Sequence, residues 1–178
     1  MDRFASPAFT ARQYDAMRAT GATFVYTPQV LAQGRDAEVG RANRTSALLA
    51  DARRRPPGAT LTLDSTVVED GAVSVAFSAR VQDAKRRPHA VAWLGYTDSG
   101  LVSEVKAGEN RGARLTHDHV VRSLAGPYAV GAEGDVRATV RFPRPAERGR
   151  DGAIVAVVQD ARTWEVLQTL TQPRCGTE

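Results

Sequence analysis

The period of the apolar residues changes from helical to alternating after a Pro-Pro-Gly sequence at 56–58. Upstream of this point, Ser6 is a suitable N-cap, Pro7 takes the first helical position and Gly21 is a typical helix end. We therefore predict a helix over Pro7–Thr20. The pattern downstream is typical of strands instead.

Two short extended segments and a second helix are predicted between this helix and the prolines. The extended segments are Thr23–Tyr26 and Gln29–Ala32, and the Thr27-Pro28 step separates them. The second helix is predicted over Arg41–Arg54 and must end before the prolines, because proline cannot continue a helix.

The remainder of the chain has the pattern of short strands. Apolar residues alternate with Ser, Ala and Arg over Val73–Val81, which predicts a strand with one buried face. Ala90–Tyr96 and Ala153–Val158 are almost entirely apolar, so we expect central strands covered on both sides. The predicted strands are Leu61–Val68, Val73–Val81, Ala90–Tyr96, Leu101–Val105, Leu115–Arg122, Val136–Phe142, Ala153–Val158 and Trp164–Thr171.

These elements predict an α+β fold. No crossover helices join the strands, which favours an antiparallel sandwich of two sheets, since parallel strands need long connections. We divide the chain into a helical segment at 1–55, a linker at 56–59 and a β-sandwich domain at 60–178. The hydrophobic content of 42% is sufficient for a core.

Composition excludes several classes of protein. The single cysteine, Cys175, cannot form an internal disulfide, a cysteine zinc finger or an iron–sulfur cluster. No run of eighteen apolar residues exists, so we predict no membrane span. The net charge of +4 comes mainly from scattered arginines, with clusters only at 53–55 and 85–87. No interleaved aromatics offer a stacking platform, so we predict a solvated surface and no nucleic-acid contact.

Two stretches carry a family resemblance. Asp2–Gln13 followed by Val25–Gln29 resembles domain of unknown function 1223, a family of bacterial thioredoxin-like secreted proteins. Gly108–His117, running on to Val120–Arg122, is similar to the C-terminal domain of the same family.

The resemblance implies that 1–55 is a partial thioredoxin-like segment. Family members usually begin with a signal peptide and a Cys-x-x-C loop, and this chain begins after both, so we expect an N-terminally truncated member. By the resemblance, Thr27-Pro28 is an ancestral cis-proline turn. A missing central strand would leave Thr23–Tyr26 with an exposed edge. We therefore expect the segment 1–55 to pack against the sandwich or to form a homodimer.

Candidate ligand-contacting residues cluster in one glycine-punctuated loop and the strand after it. Glu109 and Asn110 could orient a small ligand while Arg114 or Arg122 holds an anion, or the loop is purely structural.

His117 and His119 would share a strand face and so could bind a metal ion, but we favour a structural role for His117. Trp93 and Trp164 are expected in the core rather than as sugar platforms, and Tyr26 either lines the ancestral groove or is a half-buried strand aromatic.

These observations predict no catalytic residue, cofactor or metal. Dithiol–disulfide exchange needs two thiols, and the Cys-x-x-C pair is absent. We expect a non-catalytic binding or interaction protein whose partner is an unidentified protein or small ligand. The alternative is a truncated form of a periplasmic thiol–disulfide oxidoreductase. The resemblance implies a periplasmic or secreted location, whereas an authentic start at Met1, which lacks a signal peptide, implies a cytoplasmic one.

Overall fold

The computed structural model describes residues 3–38, 44–68, 70–109 and 111–173. Helix α1 (Pro7–Thr20) has the predicted bounds. Gly21 ends it in the left-handed region with a φ of 71°, and its N–H donates to the Arg18 carbonyl. The Ser6 hydroxyl makes no capping hydrogen bond; its backbone carbonyl instead accepts from the N–H groups of the first turn.

The predicted strand at Thr23–Tyr26 is wrong. These residues form no strand and pair with none of the described strands, so the exposed edge expected to favour a homodimer is not formed there. Two side-chain hydrogen bonds connect this region to Asp36 instead. The Tyr26 hydroxyl donates to Asp36 Oδ1 over 2.6 Å, and Gln29 Nε2 donates to Asp36 Oδ2 over 2.9 Å.

A two-stranded hairpin and the second helix follow. The hairpin consists of β1 (Leu31–Ala32) and β2 (Arg35–Asp36), and its register pairs Leu31 with Asp36. Helix α2 spans Arg44–Arg54, and the predicted positions 41–43 lie outside the described residues.

Nine further strands are described, all in antiparallel pairs. They are β3 (Ala59–Val67), β4 (Val73–Val81), β5 (Ala90–Ser99), β6 (Leu101–Glu104), β7 (Arg114–His117), β8 (Val120–Ala129), β9 (Asp135–Phe142), β10 (Asp151–Asp160) and β11 (Val166–Pro173). Their orders are β11-β10-β5-β8 in a four-stranded sheet and β3-β4-β9 in a three-stranded sheet, and β6 pairs with β7 alone.

The prediction of one strand over Leu115–Arg122 is wrong. Strands β7 and β8 are separate, because the chain turns at Asp118 and His119, where His119 has a φ of 55°. The Asp118 carboxylate accepts from the Gly100 N–H over 2.8 Å and fixes this turn. Strand β8 then continues seven residues beyond the predicted end, to Ala129.

The two larger sheets share one hydrophobic core. Burial alternates along β4, where Val75 and Phe77 face the core and their neighbours do not. Leu94 of β5 and Ile154 of β10 enter the same core from the four-stranded sheet. We predicted that β5 and β10 are covered on both faces. The outer face of their sheet, which carries Trp93, is only partly covered.

Within the described ranges, no helix is both long enough and apolar enough to cross a lipid bilayer.

Arginines of both clusters make hydrogen bonds within the protein. Arg55 donates to the Asp51 and Glu165 carboxylates over 2.9 and 3.1 Å. Arg87 donates to three backbone carbonyls, that of Val81 at the end of β4 and those of Gln82 and Ala132 in the loops after β4 and before β9. These side chains stabilise turns at the ends of the sheets.

Candidate ligand site around Arg12

An arginine of α1 lies between two tryptophans on the outer face of the four-stranded sheet. The Arg12 guanidinium carbon is 4.4 Å from the centroid of the Trp93 ring and 4.5 Å from that of Trp164. Arg12 Nη2 donates to Oε1 of the buried Gln159 over 2.7 Å. Cation–π contacts of this kind strengthen as water is removed, so the stack attaches α1 to the sheet.

A tight turn between β10 and β11 positions the Trp164 ring. Trp164 has a φ of 59°, which is rare for a bulky residue, and its N–H donates to the Asp160 carbonyl over 2.8 Å. Asp160 Oδ1 accepts from the backbone N–H groups of Arg162 and Thr163, two and three residues further along the chain. Strained backbone of this kind persists only where the surroundings hold it, and it often accompanies function.

The hairpin β1–β2 supports this turn from the other side. Gly34, with a φ of 69°, packs so closely on the carbonyl of Thr163 that a Cβ atom would overlap it. Gln33 Oε1 accepts from the Val166 N–H over 2.7 Å. The hairpin therefore holds the backbone of the turn that contains Trp164.

Trp93 is held by its own strand neighbours. Gly126 of β8 has a φ of 124°, and a Cβ there would lie 3.0 Å from the Trp93 ring. The ring thus packs between the backbone of β8 and the Arg12 guanidinium. Glycine is required at this position because both the conformation and the close approach exclude a side chain.

Two buried hydrogen-bond donors in this stack have no acceptor. They are Nη1 of Arg12 and Nε1 of Trp93, and neither has a partner among the described residues. Buried donors are nearly always satisfied, and an unsatisfied one costs about 1–3 kcal/mol. Burial also lowers the pKa of Arg12, against the opposing effect of the Asp15 charge, yet a guanidinium remains protonated at neutral pH.

Three cavities adjoin Arg12. One of about 470 Å³ lies toward α1 and the hairpin and is lined by Tyr26, Thr27 and Pro28 among others. A second, of about 500 Å³, is lined by three arginines, Arg12, Arg18 and Arg162, by Asp15 and by both tryptophans. A third, of about 670 Å³, is an apolar groove along the outer face of the four-stranded sheet. Such volumes are typical of small-molecule sites.

The predicted loop residues do not converge on this site. His117 Nε2 is 2.6 Å from Ser103 Oγ, and its ring meets that of Phe4 edge-on with centroids 5.4 Å apart. Arg122 Nη1 donates to Asp98 Oδ2 over 3.4 Å and also lies over Phe4. The structure brings His117 and Arg122 together around Phe4.

The remaining predicted loop residues are elsewhere. Arg114 is exposed and pairs with Glu104 over 3.7 Å, Glu109 is exposed, and Asn110 lies outside the described residues. His119 lies in the turn after β7, so the premise that it shares a strand face with His117 is wrong. The described residues contain no group of three metal-ligating side chains.

The Thr27–Pro28 peptide bond is cis, and both residues line the cavity next to α1. Tyr26 lines the same cavity. Its pKa is raised, first by the hydrogen bond to the Asp36 carboxylate and then by burial and the nearby negative charge. The descent of this turn from a redox site stays a prediction.

Sequence reasoning missed the central residues of the site. The expectation that both tryptophans occupy the core is wrong, since Trp93 is on the outer face and Trp164 precedes β11 in a turn. One signal was present. Trp93 lies between the core residues Ala92 and Leu94, so in a strand its side chain points to the opposite face. Nothing in the spacing of Arg12 indicated its partners, which are about 80 and 150 residues away along the chain.

The fold and site together define an α+β protein in which a helical N-terminal segment is attached to a pair of antiparallel sheets. Residues 1–159 match the family described as "Protein of unknown function (DUF1223)". The chain therefore belongs to this family, as the resemblance of its two stretches implied. No curated protein matches the chain.

One similar solved structure is HBP35 of Porphyromonas gingivalis. The TM-score is 0.66 at 13% identity, and the similarity covers 93% of this chain and 58% of that chain. At this identity the likeness concerns the fold alone. This chain spans less than two thirds of the length of HBP35.

Proposed function

We propose that the protein is a non-catalytic binding protein of thioredoxin-like lineage, with a small-molecule site centred on Arg12. One observation carries the proposal: the unsatisfied donors belong to Arg12, which lines all three cavities, and to Trp93, which lines two of them. A ligand acceptor placed against these buried donors would satisfy them. The absence of a Cys-x-x-C pair from the sequence supports a role without thiol redox chemistry.

A thermal-shift screen tests the binding function. The panel would contain carboxylates, phosphates, sugars and short peptides, each assayed with the wild-type protein and with Arg12→Met. A ligand at one hundred times its Kd adds about 2.7 kcal/mol of stability, which raises the Tm of a chain of this size by about 5–10 °C. We expect at least one compound to stabilise the wild type and not the variant. A panel without any shift at millimolar concentration would refute the proposal.

The alternative is that the longer natural protein is a periplasmic thiol–disulfide oxidoreductase and that this sequence is a truncated form of it. The family resemblance supports it, as does the position of Thr27 and Pro28 at a cavity wall. The coding DNA upstream of Met1 discriminates between the two. An in-frame Cys-x-x-C segment behind a signal peptide would favour the oxidoreductase, and a stop codon would exclude it.

We propose a periplasmic or secreted location, which is supported by the resemblance alone. Cell fractionation of the native organism, followed by immunodetection of this protein, tests it. Recovery in the cytoplasmic fraction alone would contradict it.

A further inference from the structure

We propose that the Arg12 site binds an unbranched, medium-chain aliphatic monocarboxylate, with its head at Arg12 and its chain in the groove along the four-stranded sheet. This inference rests on the binding function proposed above and specifies the ligand class. Two cavities meet at Arg12 and Trp93: one is lined by three arginines and by Asp15, and the other is mainly apolar.

The head group is specified by charge. Asp15 is engaged by Arg18 over 2.5 Å, and among the described residues no carboxylate forms an ion pair with Arg12. Gln159, its hydrogen-bond partner, is neutral. Because Arg18 pairs with Asp15 and Arg162 lies 4.0 Å from Asp160, Arg12 is the arginine of this cavity left for one negative charge of a ligand. A carboxylate also provides the two acceptor oxygens that Nη1 of Arg12 and Nε1 of Trp93 lack.

The chain is specified by the groove. Its floor is formed by outward-facing apolar residues of the three strands β5, β8 and β10, and it extends along β5 from Trp93 to Ser99. The six residue-to-residue steps from Trp93 to Ser99 span about 20 Å. No side chain rises from the floor at Gly95, where a Cβ would make only ordinary contacts, 3.9 Å from Val121 Cγ1 and 4.0 Å from the Val155 carbonyl oxygen. We assign this free space to one unbranched chain.

The far end of the groove limits the chain length. Thr97, Ser99 and Asp151 line it there, and an alkyl chain gains little from contact with polar side chains. The apolar stretch therefore corresponds to a medium-length chain rather than a long one.

A peptide fits this groove less well than an acyl chain. The floor is the face of β5 and β10, whose backbone groups are already paired with strands on both sides. A bound peptide would find few main-chain partners there, and its own amides would be desolvated without compensation. An acyl chain has no such groups.

Decanoate is the probe, and binding to the full chain is measured by isothermal titration calorimetry. Intrinsic fluorescence provides a second readout, since the only two tryptophans of the chain both contact Arg12. We expect saturable 1:1 binding of decanoate at least tenfold tighter than that of hexanoate. Acetate is the control for the carboxylate without a chain. Decyltrimethylammonium is the control for the same chain with the opposite charge. We expect neither compound to bind at the concentrations at which decanoate binds.

Variants separate the head from the chain. Arg12→Met should weaken decanoate binding at least tenfold, and Arg12→Lys, which keeps the charge without the planar donors, should have an intermediate effect. Gly95→Leu fills the groove without touching Arg12 and should also weaken binding at least tenfold. Thr139→Leu, on the exposed outer face of β9, is the matched control and should bind like the wild type. Circular dichroism confirms that each variant is folded.

Each result decides one part of the inference. Equal affinity for decanoate and hexanoate, or unaltered binding by Gly95→Leu, would reject the acyl groove. Unaltered binding by Arg12→Met would reject the carboxylate site. No binding of decanoate at millimolar concentration would reject the ligand class and leave ordered water as the partner of the two donors. In that case a hit of another class in the thermal-shift panel would still uphold the binding function.

Discussion

Replacing Arg12 with alanine should release α1 from the sheet while leaving the core intact. The variant loses two cation–π contacts, worth about 0.5–2 kcal/mol each, and a charge-assisted hydrogen bond worth about 1.5–3 kcal/mol. The buried Oε1 of Gln159 also loses its donor. Relief from the desolvation of the guanidinium offsets part of this loss. We expect a net cost of about 2–4 kcal/mol to the attachment of α1.

The loss should be local, because the shared core of the two sheets contains no residue of α1. Native-state hydrogen exchange, read residue by residue, measures it. A change of 2–4 kcal/mol corresponds to about thirty- to a thousandfold faster exchange of α1 amides that open by detachment, with β4 and β10 amides unchanged.

The control lies on the same helix. Arg18→Ala removes an exposed ion pair with Asp15, which should cost no more than about 0.5 kcal/mol. Equal exchange of α1 in the wild type and Arg12→Ala would refute the stack as the attachment point. Equal acceleration in β4 would show instead that α1 and the core unfold as one unit.

Three further outcomes are expected. Gly34→Ala places a Cβ against the Thr163 carbonyl at a residue with positive φ. The free energy of unfolding measured by chemical denaturation should fall by more than about 1 kcal/mol, and the Trp164 fluorescence should shift. An unaltered denaturation midpoint would show that the turn adapts. Burial tends to raise the pKa of Asp36, but hydrogen bonds from Gln29, Tyr26 and the backbone outweigh it and hold the pKa below its ordinary value. The stability that the Asp36 carboxylate adds to the hairpin is therefore complete above about pH 4 and is lost as the pH falls through the lowered pKa. Hydrogen exchange of the hairpin amides should show this loss at acid pH for the wild type and not for Asp36→Asn. Phe77→Ala empties a core position that is 4% exposed and should cost about 3–5 kcal/mol in urea denaturation, and a loss below 1 kcal/mol would contradict the shared core.

The local elements were predictable where a local signal specified them. Ser6, Pro7 and Gly21 predicted both ends of α1, and the alternation over Val73–Val81 predicted β4 with its buried face. The same reasoning failed at Thr23–Tyr26, because a strand requires a partner and sequence does not show whether one is present. It failed again at His119, because a positive φ at a non-glycine residue has a weak signature.

The candidate site was not predictable in the same way. The loop residues that the sequence singled out are divided: His117 and Arg122 meet around Phe4, while Arg114 pairs with Glu104. Glycine-punctuated loops attract attention because they are locally unusual. The Arg12 stack is composed of residues that are each locally ordinary.

The sequence by itself determined what is local or countable: the bounds of α1, the alternating strands, the lack of a cysteine pair and the stretches that mark the family. Only the tertiary structure decided where the candidate site lies. It pairs β5 with β10 so that Trp93 faces outward, turns the backbone after Asp160 so that Trp164 faces it, and lays Arg12 between them. The physical reason is that desolvation, cation–π contact and unsatisfied donors are properties of groups brought together across long sequence separations, and no local pattern records them.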